Sequence, residues 1–150
     1  MPIQNYEIYT GNAYKGQISD ASTPRVVGSV VAAVAVAFGV AVKQDGTLGH
    51  DTGNVFAIAT REANHEAKFR PSTGETEYPV GQTVSAFREG YINVEVTERA
   101  AVAGALANVV DATGEFAGGT AGVGETASTN VRFMESGSVG DVVRARIDIK

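Results

Sequence analysis

Val34-Ala35-Val36-Ala37-Phe38-Gly39-Val40-Ala41-Val42 alternates bulky residues at 34, 36, 38, 40 and 42 with alanine or glycine. A period of two places the large groups on one face of an extended chain and leaves a smooth face that another layer or subunit approaches closely. The stretch predicts a buried strand. Just upstream, residues 27, 30, 31 and 34 are spaced for about two helical turns, so a short helix is predicted to lead into it. No charge occurs from Val26 to Val42. That run is at the short limit for a bilayer span and is built of Ala, Val and Gly instead of Leu and Ile, which argues against membrane crossing.

The turn chemistry downstream repeats the β signal. Asp45-Gly46 sits in a dense cluster of turn formers and predicts a hairpin, with a returning strand over Val55–Ala59 that carries Phe56 and Ile58 on one face. The segment Arg61 to Arg70 is charged and ends in Pro71-Ser72-Thr73-Gly74, a solvated excursion. Val84 and Ala86, then Ile92, Val94 and Val96, alternate on either side of Arg88-Glu89-Gly90, which predicts a second hairpin with its turn at 88–90. Leu106 to Val110 predicts a further strand, and the five glycines between 114 and 124 predict a flexible surface loop over 114–130. Val131 and Phe133 alternate again, and Val143, Ala145, Ile147 and Ile149 oppose Arg144, Arg146, Asp148 and Lys150. Short strands at regular spacing with little helix give an all-β fold, a small β-sandwich or barrel of jelly-roll type.

With 150 residues, 43% hydrophobic and 19% charged, the chain has room for one core. Residues 25–150 read as a single β domain and residues 1–24 as an N-terminal arm. The arm mixes Tyr6, Ile8, Tyr9, Tyr14 and Ile18 with Gly, Asn, Ser and Thr, and no periodic face can be drawn through it. Sticky residues without a face describe an extended segment that orders on a partner, which makes those five residues the candidate interface. The start of the chain lacks the basic and apolar regions of a secretory signal, so a cytoplasmic site of synthesis is expected.

Composition excludes several chemistries. There is no Cys and no Trp, hence no disulfide scaffold, thiolate metal site or cysteine nucleophile. A net charge of −5 with scattered Lys and Arg lacks the footprint for nucleic acid or an anionic membrane. His50-Asp51 and His65-Glu66 are adjacent pairs that cannot easily converge on one ion, so no metal is expected. Gly122-Val123-Gly124-Glu125-Thr126-Ala127 fits the loose dinucleotide pattern but follows no strand and precedes no helix, and no Gly-x-Ser-x-Gly elbow occurs. No catalytic residue and no cofactor are predicted.

The order of these features resembles the structural cement, or capsid decoration, proteins of tailed bacteriophages. The resemblance runs from the Tyr6 and Tyr9 leader through Ala13-Tyr14-Lys15-Gly16-Gln17-Ile18-Ser19-Asp20 and Arg25-Val26-Val27 into Phe38-Gly39-Val40-Ala41-Val42. It continues through Gly90-Tyr91-Ile92-Asn93-Val94, Val102-Ala103-Gly104 and the closing Arg144-Ala145-Arg146-Ile147. It implies a non-enzymatic protein made in the host cytoplasm that binds the outside of an icosahedral shell of the major capsid protein. There it would clamp neighbouring capsomers, as a homo-oligomer, dimer or trimer. Two other classes make different demands. A carbohydrate- or receptor-binding module needs exposed aromatics, for which Tyr78, Phe87 and Tyr91 are the candidates. A trimeric dUTP-hydrolysing enzyme shares a Gly-rich tract like Gly118–Gly124 and a strand like Gly90–Asn93, but carries the tract at its C-terminus and an Asp where this chain has Asn93.

Overall fold

Ten strands succeed one another in the computed structural model, which describes residues 15–19, 25–61 and 77–149. They are β1 (Val26–Val31), β2 (Val36–Ala37), β3 (Ala41–Val42), β4 (Ala57–Ala59), β5 (Glu77–Tyr78), β6 (Thr83–Thr97), β7 (Leu106–Val110), β8 (Phe116–Ala117), β9 (Glu125–Phe133) and β10 (Val142–Ile147). The described residues contain no helix, and none is long and apolar enough to cross a membrane as one. The all-β expectation holds, and of its two closures the barrel is the one adopted.

Closure comes from β6. Its C-terminal half pairs antiparallel with β10, which pairs with β9, then β7, then β8, and β8 returns to β6 as a parallel partner through Val96↔Phe116. That ring has no free edge. Alternation fills it: Ile92, Val94 and Val96 from β6, Val143, Ala145 and Ile147 from β10, Val131 and Phe133 from β9, and Val109 and Phe116 share one buried cluster. Each fully buried large side chain contributes about 1.5–3 kcal/mol relative to exposure.

The N-terminal half of β6 is built differently. It lies between β1 and β4, and β3, β4 and this half of β6 form a layer covered on both sides. Ala41, Ile58 and Phe87 face the barrel core, whereas Val42, Ala57, Ala59, Val84 and Ala86 face a second cluster with Val30, Val36, Phe38, Val40 and Tyr78. Phe38 meets Tyr78 edge to face at 5.3 Å, and Tyr78 Oη donates to Thr60 O at 2.6 Å.

Several expectations are corrected by this arrangement. The Val34–Val42 run is not one strand: β2 and β3 are separated by a turn in which Gly39 has φ +79°. Val36, Phe38, Val40 and Val42 still share one cluster, but Val34 is exposed. The helix predicted over 27–34 is β1, because a place beside β6 outweighs weak helical spacing. The hairpin predicted at 88–90 is an unbroken strand. Opposite β1, Val26 pairs with Glu89 and Val27 with Phe87, which leaves Arg88 as an extra residue, and Gly90 takes φ +126°. This bulge flips the parity of the barrel-facing residues from Phe87 to Ile92. The loop predicted at 114–130 contains β8 and the start of β9, with Glu125 already in the ladder opposite Val110. Phe56 packs on the second cluster and Ile58 in the first, so they do not share a face. Ile149 lies beyond the end of β10 and is exposed, apart from the inward row of Val143, Ala145 and Ile147.

Candidate interaction surface

Of the five arm residues, Tyr6, Ile8, Tyr9 and Tyr14 lie outside the described residues. Ile18 is described. It bridges Ile92 in antiparallel fashion and is half-buried against the barrel core. Around it, Gly16 N donates to Asn93 O at 2.7 Å, Asn93 N to Gln17 O at 2.8 Å and Ser19 N to Tyr91 O at 3.2 Å. The segment 15–19 is therefore fastened along the outside of β6, on the flank away from β10.

Two glycines make that fastening possible. Gly16 and Gly39 both have φ +79°, and a Cβ on Gly16 would stand 2.9 Å from Gly39 N, a Cβ on Gly39 2.8 Å from Gly16 N. Neither backbone has room for a side chain, and L residues disfavour that φ. Lys15-Gly16 and Phe38-Gly39, far apart in sequence, are thus two halves of one contact. Arg61 N closes it by donating to Gly16 O at 2.7 Å. A groove lined by Lys15, Ala37, Val40, Leu48, Glu77 and Glu115 lies beside this contact.

The aromatic candidates for a carbohydrate or receptor site do not form one. Tyr78 and Phe87 are fully buried, one in each core: Tyr78 lies on the two-residue β5, too short to show alternation, and Phe87 on the half of β6 that is covered on both faces. Tyr91 alone is partly open, on the outer barrel face between Arg144 and Arg146, whose guanidiniums stand 5.6 and 5.4 Å from its ring centre. Arg146 also donates to Asp148 Oδ1 at 3.0 Å and Tyr91 Oη at 3.1 Å, and these bonds raise its pKa further. The Gly118–Gly124 tract is no C-terminal lid: Gly118 O accepts from Arg99 Nε at 2.9 Å and Asn108 Nδ2 at 3.2 Å, and β9 follows.

His50 does not stand with Asp51. Its Nε2 meets Asp111 Oδ1 at 2.6 Å and its Nδ1 accepts from Gly53 N at 2.9 Å, so the Nε2–H tautomer is the one that fits. Thr126 Oγ1 donates to the same carboxylate oxygen at 2.9 Å. The His50 bond first, then that of Thr126, holds the Asp111 carboxyl below its ordinary range. No group of three or more His, Cys, Asp or Glu able to hold a metal occurs among the described residues. His65 lies outside them. Sequence reading missed the buried polar clamps. Asn130 Oδ1 accepts from Val55 N at 2.9 Å while its Nδ2 donates to Val55 O and Asp148 O, each at 2.8 Å, and Ser128 Oγ donates to Ala107 O at 2.6 Å. Neither stands at the parity of the inward Val131 and Phe133, so no local pattern marks these two clamps.

One group of exposed apolar side chains lies on the charge-free run and the turn beside it, apart from Val102, Leu106, Val123, Val139 and Ile149 elsewhere. Val31 is 61% and Val80 65% exposed, with Val26, Val27 and Val34 also open. The turn carrying Val80 is held beside β1 by Gly81 N to Ala32 O at 2.8 Å and Ala32 N to Gln82 O at 2.9 Å.

Comparison with known proteins bears on what such a surface serves. The family model described as "Structural cement protein (E217 gp24/Pam3 gp6)" matches residues 2–148. A chain of the solved structure "The capsid of Myoviridae Phage XM1" superposes with a TM-score of 0.70 at 17% identity, over 91% of this chain and 90% of that one. That likeness is one of fold. No curated protein matches the chain.

Proposed function

The chain belongs to the phage structural cement proteins, and from that premise we propose that it decorates the outer surface of an assembled icosahedral shell, bridging neighbouring subunits of the major capsid protein. Its role is structural, a stabiliser of the capsid in the virion. The observation that carries the reading is the extent of the family match, residues 2–148, which takes in arm and β body together. A ring of strands without a free edge suits a load transmitted through the molecule. The shell contacts are assigned to the arm, with Tyr6, Ile8, Tyr9, Tyr14 and Ile18 as anchors, because they are the large apolar groups of an otherwise polar segment. In this reading the protein has no catalytic activity, is made in the host cytoplasm and self-associates. Several weak contacts then act together through effective concentration.

The test is a deletion of residues 2–14, which stops short of the Gly16 contact with Asn93 and Arg61. The truncated protein is expected to fold with a melting temperature close to that of the intact chain. Sedimentation with expanded empty capsids should show loss of binding, and those capsids should fail at a lower temperature than capsids carrying intact protein. Undiminished binding by the truncated chain would move the contact to the β body. No binding by intact protein would end the cement reading.

A further inference from the structure

We propose that β1 is a seam between two copies of this chain, its open edge pairing antiparallel with β1 of a second copy about a twofold axis at Gly28. The inference rests on the reading that the protein self-associates, and it names the surface.

Hydrogen-bond parity decides which groups the edge presents. Ala32 N donates to Gln82 O, so in the β1–β6 register Val30 and Gly28 also turn their backbone groups toward β6, while Val27, Ser29 and Val31 turn theirs outward. Thr60 N donating to Ser85 O on the far side of β6 agrees with that parity. Among the described residues nothing bonds to the outward groups of Val27 or Ser29. At Val31 the edge is closed, since a Cβ on Gly46 would stand 1.9 Å from Val31 O. The usable edge therefore centres on Gly28, and a second β1 laid antiparallel there sets Val27 opposite Ser29 of the second copy, Val26 opposite Val30, and Gly28 opposite Gly28.

Three features fit a second copy of this chain. Val-Val-Gly-Ser-Val-Val has small residues at its centre, so the pairs nearest the axis, Gly28 with Gly28 and Val27 with Ser29, each contain a small residue and no two bulky groups collide there. A copy carrying a net charge of −5 is repelled by another, but this edge belongs to the run from Val26 to Val42 that holds no charge at all, and natural edges not meant to pair are blunted by charge or proline. Gly28, finally, is not required by its own chain: its φ lies outside the positive region, and a Cβ there would meet only Arg88 Cδ, at 3.8 Å. A strand-interior glycine costs stability, and one without an internal cause marks a place where another backbone comes close. At the axis Gly28 would occupy a non-hydrogen-bonded pair, the pairing in which opposed residues approach nearest.

The experiment measures mass by light scattering over a micromolar dilution series, for the intact chain and for Ser29→Pro and Val27→Lys. Proline at 29 removes an outward N–H and lysine at 27 brings charge to the seam. The intact protein should be a dimer, and each variant should weaken it about tenfold or more while the far-ultraviolet circular dichroism stays unchanged. Because the chain has no cysteine, a nitroxide on Ser29→Cys reports the seam directly, with labels within about 20 Å of each other in the dimer. A monomer, a trimer, a dimer indifferent to both variants, or widely separated labels would overturn the proposal. Should Ser29→Pro or Val27→Lys abolish capsid binding without touching the dimer, the edge receives a shell strand instead and the proposal is overturned while the cement reading stands. A dimer that responds as stated but binds no shell supports the seam and removes the cement reading.

Discussion

The two halves of β6 solve the edge problem in opposite ways. Beyond Gly90 the strand is a stave of a closed ring, flanked by β10, by β8 and by the 15–19 segment, with one face inward. Before Gly90 it is the middle of an open layer, buried on both faces yet bordered by β1, whose outer edge no described residue pairs. The chain thus joins a self-sufficient barrel to a flank with surface left over.

The hardest test of the division is a cavity in each core. Phe133→Ala removes a fully buried ring from the barrel cluster, where a closed ring has little freedom to collapse. A loss toward the upper end of about 3–5 kcal/mol is expected in denaturant melts, with all amide protection falling together. Phe38→Ala opens the second cluster and deprives Tyr78 of its edge-to-face partner. Its cost should lie toward the lower end of the same range of about 3–5 kcal/mol, with protection lost first in β2 and β5 while β9 and β10 stay protected. Equal loss of protection everywhere in both variants would show that the two regions are one cooperative unit.

The bulge between the halves is the next target. Gly90 has φ +126°, and a Cβ there would stand 2.7 Å from Phe87 Cζ and 3.2 Å from Arg25 Cβ. Gly90→Ala should destabilise by about 1–3 kcal/mol through strain at that φ and displacement of the Phe87 ring. A melting temperature equal to wild type would mean that the parity flip tolerates a side chain.

What the sequence disclosed follows the same line. Barrel strands that bury one face alternate cleanly, so Val94, Val96, Val131, Phe133, Val143 and Ala145 were readable as core from period two alone. The flank was misread where both faces are buried or where the chain bends. Val26–Val42 lies where burial on two sides, a left-handed Gly39 and an open edge break any single period. Arg88-Glu89-Gly90 has the composition of a turn, and only the pairing with β1 reveals a bulge. Tyr78 and Phe87 stood as candidates for an open aromatic site because β5 is too short to show alternation and because β6 is buried on both faces at Phe87. The Gly16 contact with Gly39 is a matter of tertiary approach, invisible to local pattern although both glycines belong to the stretches that carry the family resemblance.

The smallest expected effect concerns the join between the barrel and the 45–54 loop. Asp111 accepts from His50 and from Thr126, and both bonds favour the ionised carboxylate, so its pKa in the folded chain lies below the ordinary 3.8. For a depressed carboxylate the contribution to stability is present above the unfolded pKa and disappears as pH falls through the folded one. The side chain is about half exposed, which limits the size of the effect. Asp111→Asn should therefore melt close to wild type in strong acid and below it near neutrality, narrowing the rise in melting temperature across the acid range by no more than about 2 °C. Thr126→Val, which keeps the carboxylate and the His50 bond, should narrow it less. A variant curve parallel to wild type at every pH would show that the loop is held to the barrel by its backbone bonds, Thr129 N to Gly53 O at 2.9 Å and Gly49 N to Ala41 O at 3.0 Å, and not by this carboxylate.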